Sequence, residues 1–156
     1  MEILKMIKKE YMNLELKAQS KLEVIDELAS LFCKSDIVED LDKLIRDIKI
    51  RESLSTTGIG FNIAIPHAKS KYIKEPAIAF GKSINGIEYD SMDGLDAKLF
   101  FLICMPENCG NMHLKALTQL SRNLIHESFR NALMEADTKE AVLDVLKDID
   151  KEDKHV

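Results

Sequence analysis

The feature that most confines this chain is the run Leu99 to Met105, L-F-F-L-I-C-M, seven apolar residues without a break. It is far too short to cross a bilayer as a helix, and it matches a strand buried inside a sheet. Ala77 to Phe80 reads the same way. Buried strands need backbone partners and cover, and the rest of the chain supplies helices to cover them. Ser20 and Glu23 form an S-x-x-E capping box ahead of Leu22, Ile25, Leu28, Ala29 and Phe32 at helical spacing. Leu41, Leu44, Ile45 and Ile48 mark a second helix that runs into Arg51 and Glu52. Further on, Leu114, Leu117, Leu120 and Leu124 form one stripe. Asp137 with Glu140 caps a last helix that carries Val142, Val145 and Leu146. Strands lying between helices at both ends of a chain predict an α/β fold, a mixed sheet of about five strands flanked by helices on both faces.

Shorter signals fill in this frame. Met1 to Lys9 fits one short helix. Tyr11 to Lys17 alternates Met12, Leu14 and Leu16 against polar residues, a half-buried strand pattern. Ser53 to Gly60 is small, polar and glycine-containing, hence a loop, and Ile63 to Ile65 forms a short strand that stops at Pro66. Asn85-Gly86 is a type I′ hairpin signal, and a hairpin makes the sheet mixed rather than all parallel. The charged end from about residue 149 is expected to fray.

The 156 residues suit one domain, and 46% hydrophobic with 31% charged residues is a globular composition. A net charge of -5 with no Lys/Arg block argues against nucleic acid as the main partner. Cys33, Cys104 and Cys109 cannot all pair within one chain, which suggests a reducing compartment. With no apolar segment long enough for a span or a leader, the expected location is the cytoplasm.

Chemistry concentrates between Arg51 and Lys69, R-E-S-L-S-T-T-G-I-G-F-N-I-A-I-P-H-A-K. His67 follows a strand and a proline, at a strand end where a side chain can face a cleft. Ser55, Thr56, Thr57, Gly58 and Gly60 allow close backbone approach and supply N–H and hydroxyl donors, so Thr56, Thr57, Gly58 and Gly60 are a candidate phosphate-binding loop. Arg51 adds a permanent cation whose fork matches phosphate. Asn111 is a good N-cap for the next helix and puts His113 in its first turn, where a protonated imidazole is disfavoured. His113 should then be neutral and able to donate to an anion. Residue types alone leave each of these open, since a histidine after a proline or a Gly/Thr loop is often structural. His126 and His155 read as surface or tail residues. Cys109 and His113 have the spacing of two metal ligands, but no second pair completes a tetrahedral site. Cys33 and Cys104 read as thiols in or near the core.

Taken together, T-G-I-G-F-N-I-A-I-P-H, the preceding R-E, the later M-H-L-K-A-L-T-Q-L-S-R and the stretches E-P-A-I-A-F-G-K-S and Y-D-S-M-D-G closely resemble the EIIA domain of the bacterial phosphotransferase system, fructose/mannitol class. The likeness extends from the Leu14 strand to the Val145 helix. It implies a mixed sheet flanked by helices, phosphorylation of His67 by the phosphocarrier HPr, His113 as a second active-site histidine and Arg51 as the phosphate-binding arginine. It further implies onward transfer to a cysteine of an EIIB domain that works with a membrane EIIC, with no metal, nucleotide or other cofactor, for a fructose-class sugar. The same I-P-H core occurs in nitrogen-regulatory EIIA proteins, which signal rather than feed sugar uptake, and EIIA-like domains also serve as non-catalytic modules. Ser55, Phe61 and Ala68 depart from the residues usual in the family. Ser55 and Ala68 imply that these backbone positions need no positive φ, and Phe61 offers an apolar docking element in place of a polar one.

Overall fold

The computed structural model describes residues 3–153. A 3-10 turn at Ile3–Lys5 leads into β1 (Ile7–Asn13), α1 (Lys21–Ser30), a second 3-10 turn (Leu31–Lys34) and α2 (Leu41–Leu54). Three short strands follow, β2 (Gly58–Gly60), β3 (Ile63–Ala64) and β4 (His67–Ser70), and then two long ones, β5 (Ala77–Ile87) and β6 (Ala97–Pro106). Helices α3 (Met112–Leu124), α4 (Glu127–Glu135) and α5 (Lys139–Asp153) close the order. Asn13 to Lys17 forms no strand beyond Asn13, and residues 1–2 and His155 lie outside the described residues.

The sheet is mixed, with six strands among the described residues. Its order is β1-β5-β6-β3-β2, and β4 also pairs with β6. β5 and β6 run antiparallel, with Ala77 opposite Cys104 and Lys82 opposite Leu99. β1 is parallel to β5, and both β3 and β4 are parallel to β6. Two apolar clusters cover the two faces. Val24, Ile25, Leu28, Phe32, Leu44 and Ile48 from α1, its following turn and α2 lie on one. Leu120, Leu124, Leu133, Val142 and Leu146 from α3 to α5 lie on the other, against Phe80, Phe101 and Ile103. The three-layer arrangement expected from the sequence is present.

Several local readings shift, each for a physical reason. The N-terminal helix is only the turn Ile3–Lys5, because from Ile7 onward the backbone pairs with β5. A register shift between Ile7 and Met12 breaks the alternation, so the period-2 signal pointed four residues too late. The Asn85-Gly86 pair makes no hairpin turn. It lies inside β5, where the register against β6 shifts between Lys82 and Ile87, and the β5–β6 connection comes later, at residues 88–96. The two-residue turn with positive φ at both central positions is instead Phe61-Asn62, with φ of 57° and 65°, between β2 and β3. Leu22 is exposed and α1 buries Val24 instead, while Leu114 at the start of α3 also faces out. Cys33 is exposed, whereas Cys104 is fully buried.

The caps explain where helices begin. The Ser20 hydroxyl accepts from the Glu23 N–H at 3.2 Å, and the Glu23 carboxylate reaches back to the Gln19 N–H at 2.9 Å. α5 starts one residue later than its sequence signal, since the Thr138 hydroxyl, and not Asp137, accepts from the Ala141 N–H at 3.0 Å. α5 then runs on to Asp153 where fraying was expected from about residue 149, and residues 154–156 lie outside the described residues. Thr138→Ala should therefore cost about 1 kcal/mol in urea unfolding, while Asp137→Asn should leave the midpoint nearly unchanged.

Candidate functional site

His67 opens β4, the short strand that shares an edge of β6 with β3. Its placement follows from backbone accounting. The Ile103 N–H of β6 donates to the Pro66 carbonyl at 2.9 Å. Neighbouring residues of an extended chain present their polar groups to opposite sides, so Ile65 faces away from β6. Its N–H donates to the Thr57 carbonyl at 3.0 Å. The Ile65 carbonyl is then available on that side, and it lies 2.8 Å from His67 Nδ1. A carbonyl oxygen can only accept, so Nδ1 carries the ring proton. Nε2 is left with its lone pair.

The ring is half-buried beside a cleft of about 530 Å³ that is also lined by Arg51, Lys69, Glu107, His113 and Leu114. Three elements meet there: the last turns of α2, the edge strand β4 and the first turn of α3. The structure thus brings together His67, Arg51 and His113, which are far apart in sequence. One Arg51 Nη donates to the Ser55 carbonyl at 3.1 Å, which closes the end of α2. Ser55 itself is extended at φ −167°, with no need for glycine.

Both histidines are held below the ordinary imidazole range. For His67 the main cause is burial, with the Arg51 charge adding to it. The Ile65 hydrogen bond and the Glu52 charge oppose. For His113 burial again leads, followed by the Lys69 charge and His67 itself, and the Gly110 backbone opposes weakly. The direction for His113 agrees with the sequence reading, but the causes are burial first and then its neighbours across the cleft rather than the helix terminus. Asn111 stands at the N-cap with no side-chain capping bond. His113 Nδ1 is buried, so the other ring nitrogen is the one that can serve a ligand.

The Thr56–Gly60 loop is placed differently from its sequence reading. Thr56 Oγ1 donates to the Tyr89 carbonyl at 3.1 Å, and the Gly58 N–H donates back to Thr56 Oγ1 at 3.1 Å. The Thr57 N–H and hydroxyl both go to the Glu52 carboxylate, at 2.7 Å and 2.5 Å. Gly58 and Gly60 are taken up in β2, Gly60 at φ 98° against the Asp93 side chain. None of the four lines the cleft, because these donors are committed to holding the loop itself. Phe61 is likewise remote. Its turn meets β6 near Leu99 while His67 meets it at Ile103, a step of roughly 13 Å along the strand. The ring is exposed and stacks under the Arg130 guanidinium at 4.6 Å.

Glu52 was visible in the sequence only as the second letter of R-E. In the fold it is buried, paired with Lys21 Nζ at 2.9 Å, and accepts from the Tyr89 hydroxyl at 3.0 Å as well as from Thr57. Its neighbour on α2 is Arg51, so this network fixes the end of the helix that aims the guanidinium. No periodicity rule signals a buried carboxylate next to a half-buried arginine. Its three partners, Lys21, Thr57 and Tyr89, come together only in three dimensions.

Comparisons with known proteins give the family. The family described as "Phosphoenolpyruvate-dependent sugar phosphotransferase system, EIIA 2" matches residues 5–149. The chain belongs to that family. It is 41% identical over 140 residues to the PTS system fructose-specific EIIA component of Haloferax volcanii, covering 90% of this chain and 91% of that protein. It is 40% identical over 151 residues to the PTS system fructose-specific EIIABC component of Bacillus subtilis, covering 97% of this chain but only 24% of that longer protein. Among solved structures, the nitrogen regulatory protein IIA-Ntr of Neisseria meningitidis superposes with a TM-score of 0.84 at 26% identity, covering 91% of this chain and 97% of that one. This EIIA chain is thus a component of a phosphotransferase system, and among its described residues no helix is long and apolar enough to cross a membrane.

The lowered histidines have a consequence for stability. The unfolded chain binds a proton on His67 near pH 6.5, while the folded site resists it, so stability is unpenalised above that pH and falls as the pH drops below it. Urea unfolding between about pH 5 and pH 8 should show stability rising with pH. His67→Gln should flatten that slope.

Proposed function

We propose that this EIIA chain is a histidine phosphocarrier in which His67 accepts a phosphoryl group from phospho-HPr and passes it to a cysteine of an EIIB domain working with a membrane EIIC. The single observation that carries this reading is the hydrogen bond from His67 Nδ1–H to the Ile65 carbonyl at 2.8 Å. It keeps the proton on one nitrogen and leaves Nε2 as a nucleophile with its lone pair toward the cleft. The lowered proton affinity of the ring keeps it unprotonated near neutral pH.

Transfer needs little proton chemistry. The Nε2 lone pair forms the new N–P bond as the P–N bond to the donor imidazole breaks, and that electron pair stays with the donor ring. Charge on the phosphoryl oxygens is met by Arg51, whose fork suits two of them. Neutral His113 donates one N–H to the same group, with no like charge brought against the guanidinium. Such catalysis is positioning and electrostatic stabilisation in a preformed site. In the second half-reaction the cysteine thiolate forms the S–P bond and the pair returns to Nε2. Exposed Ile50, Leu54 and Leu114 surround the cleft and give partner proteins an apolar rim to seat on.

A fructose-class sugar is favoured by the names of the relatives at 40–41% identity. A second reading, a nitrogen-regulatory protein that is phosphorylated without feeding transport, is supported by the structural likeness to IIA-Ntr at lower identity. Both readings share the chemistry of His67 and differ in whether an EIIB cysteine is the acceptor.

Intact-mass measurement with Enzyme I, HPr and phosphoenolpyruvate should give one acid-labile phosphoryl adduct on the wild-type chain and none on His67→Ala. An adduct of equal lifetime on that variant would move the acceptor elsewhere. Arg51→Lys keeps the charge but loses the fork. It should slow transfer about tenfold or more with little change in melting temperature.

A further inference from the structure

The charge balance of the cleft leaves one residue without a role. A phosphoryl group on His67 brings a charge of about −2 into a site whose two histidines are neutral. Arg51 supplies a single positive charge, and part of its guanidinium is held by the Ser55 carbonyl. The acids that line the cleft are of the wrong sign. Glu107 is exposed at its mouth, and the Asp47 carboxylate is taken by the Ser70 hydroxyl at 2.6 Å and by Arg46 at 3.7 Å. A second cation is needed for balance.

Lys69 is placed to be that cation. Strand alternation puts it two residues on from His67, on the same face of β4, while Ala68 and Ser70 turn inward and are buried. Two residues of strand separate the Cα atoms by roughly 6.6 Å, a span that a four-carbon stem can bridge. Lys69 lines the cleft together with His67, Arg51 and His113. Its ammonium is exposed and makes no ion pair or hydrogen bond among the described residues. The site itself registers the charge, since Lys69 is the leading charged neighbour that disfavours protonation of His113.

We propose that Lys69 is a second phosphoryl-binding residue, whose ammonium contacts an oxygen of phospho-His67 from the α3 side of the cleft while Arg51 reaches it from α2. This rests on His67 being the phosphoryl acceptor. The two cations divide the work by their chemistry. Arg51 is a planar fork that orients the group. Lys69 is a flexible point charge that can follow the phosphorus as it moves between the partner's atom and Nε2. Its exposure leaves it free to meet the incoming phosphoryl group while that group is still on the donor. The groups that face His113 are then His67 and Lys69 from β4, Arg51 from α2 and Glu107 from the segment ahead of α3, so removal of Lys69 alone has a predictable sign.

The test compares wild type, Lys69→Gln and Lys69→Arg, each phosphorylated through Enzyme I and HPr. Three quantities are read: the single-turnover rate of transfer from phospho-HPr, the 31P titration of the phosphoryl group, and the NMR titration of His113 in the unphosphorylated protein. Lys69→Gln should slow transfer about tenfold, the loss of one charge-assisted contact. Its phosphoryl group should take up a proton at a pH about one higher, and His113 should titrate at higher pH. Lys69→Arg should stay close to wild type in all three. A merely structural lysine would not move the phosphorus titration. If Lys69→Gln carries phosphate on His67 with wild-type transfer and an unchanged 31P titration, Lys69 does not touch the phosphoryl group and the proposal falls while the acceptor assignment stands. A wild-type chain that takes no phosphate on His67 overturns both.

Discussion

Strand β6 is covered on both faces, so every N–H and C=O it carries has to be met by another strand in its own plane. β5 serves one edge along most of its length. The other edge is served in two pieces, by β3 opposite Leu99 and Phe100 and by β4 opposite Ile103 to Pro106. Between the pieces stands Pro66, which has no N–H to give but whose carbonyl still receives the Ile103 N–H. The interruption lets the chain turn its polar groups outward at Ile65, and the free carbonyl there sets the histidine. A constraint on pairing in the middle of the sheet therefore fixes the protonation pattern of a ring at its rim.

The helices attach to this frame in a way that brings distant residues together. α2 packs beside β4 and ends at the cleft, so Arg51 comes round the edge of the strand. α3 starts on the opposite side and places His113 there. What holds Arg51 in place is its neighbour. The Glu52 carboxylate, buried with Thr57 and Tyr89 and paired with the half-buried Lys21, is a satisfied network at the junction of α1, α2, the segment ahead of β2 and the loop after β5. A buried charge of this kind contributes little net stability, but breaking it by removing one partner is costly, about 3–5 kcal/mol. It acts as a peg that defines where the helix stops. The same burial and the adjacent carboxylate push the Tyr89 phenol above its ordinary range, so it stays protonated as a donor.

Much of this was legible in the sequence, and the parts that were not have specific causes. The long apolar run marks β6, the S-x-x-E box marks the start of α1, and the I-P-H string marks His67. Amphipathic spacing sets Arg51 near the end of α2 and His113 in the first turn of α3. Reading failed where local chemistry was overruled by pairing. Asn85-Gly86 has the residues of a tight turn but is carried inside a strand, whereas Phe61-Asn62, with a bulky residue at a positive φ, makes one. Asp93 accepting the Phe61 N–H at 2.9 Å and Arg130 over its ring offset that strain. The Thr56–Gly60 loop misled for a related reason: small polar residues advertise donors, but a sequence does not show that the donors are already spent. Glu52 and Lys69 carry no signal in the sequence, because charged residues on a helix end or an edge strand are ordinarily solvated.

The anchoring of Nδ1 has a further consequence for how a carrier of this kind would meet its partners. A ring tied to its own backbone two residues back cannot turn over, so Nε2 offers a single line of approach, outward through the mouth framed by Ile50, Leu54 and Leu114. Donor and acceptor proteins must come in along that line, and they cannot both occupy it. On the proposed reading, the two half-reactions are therefore forced apart in time, with one partner leaving before the next arrives. Donor and acceptor become competitors for one surface, and an excess of either slows the flux that both are needed to sustain.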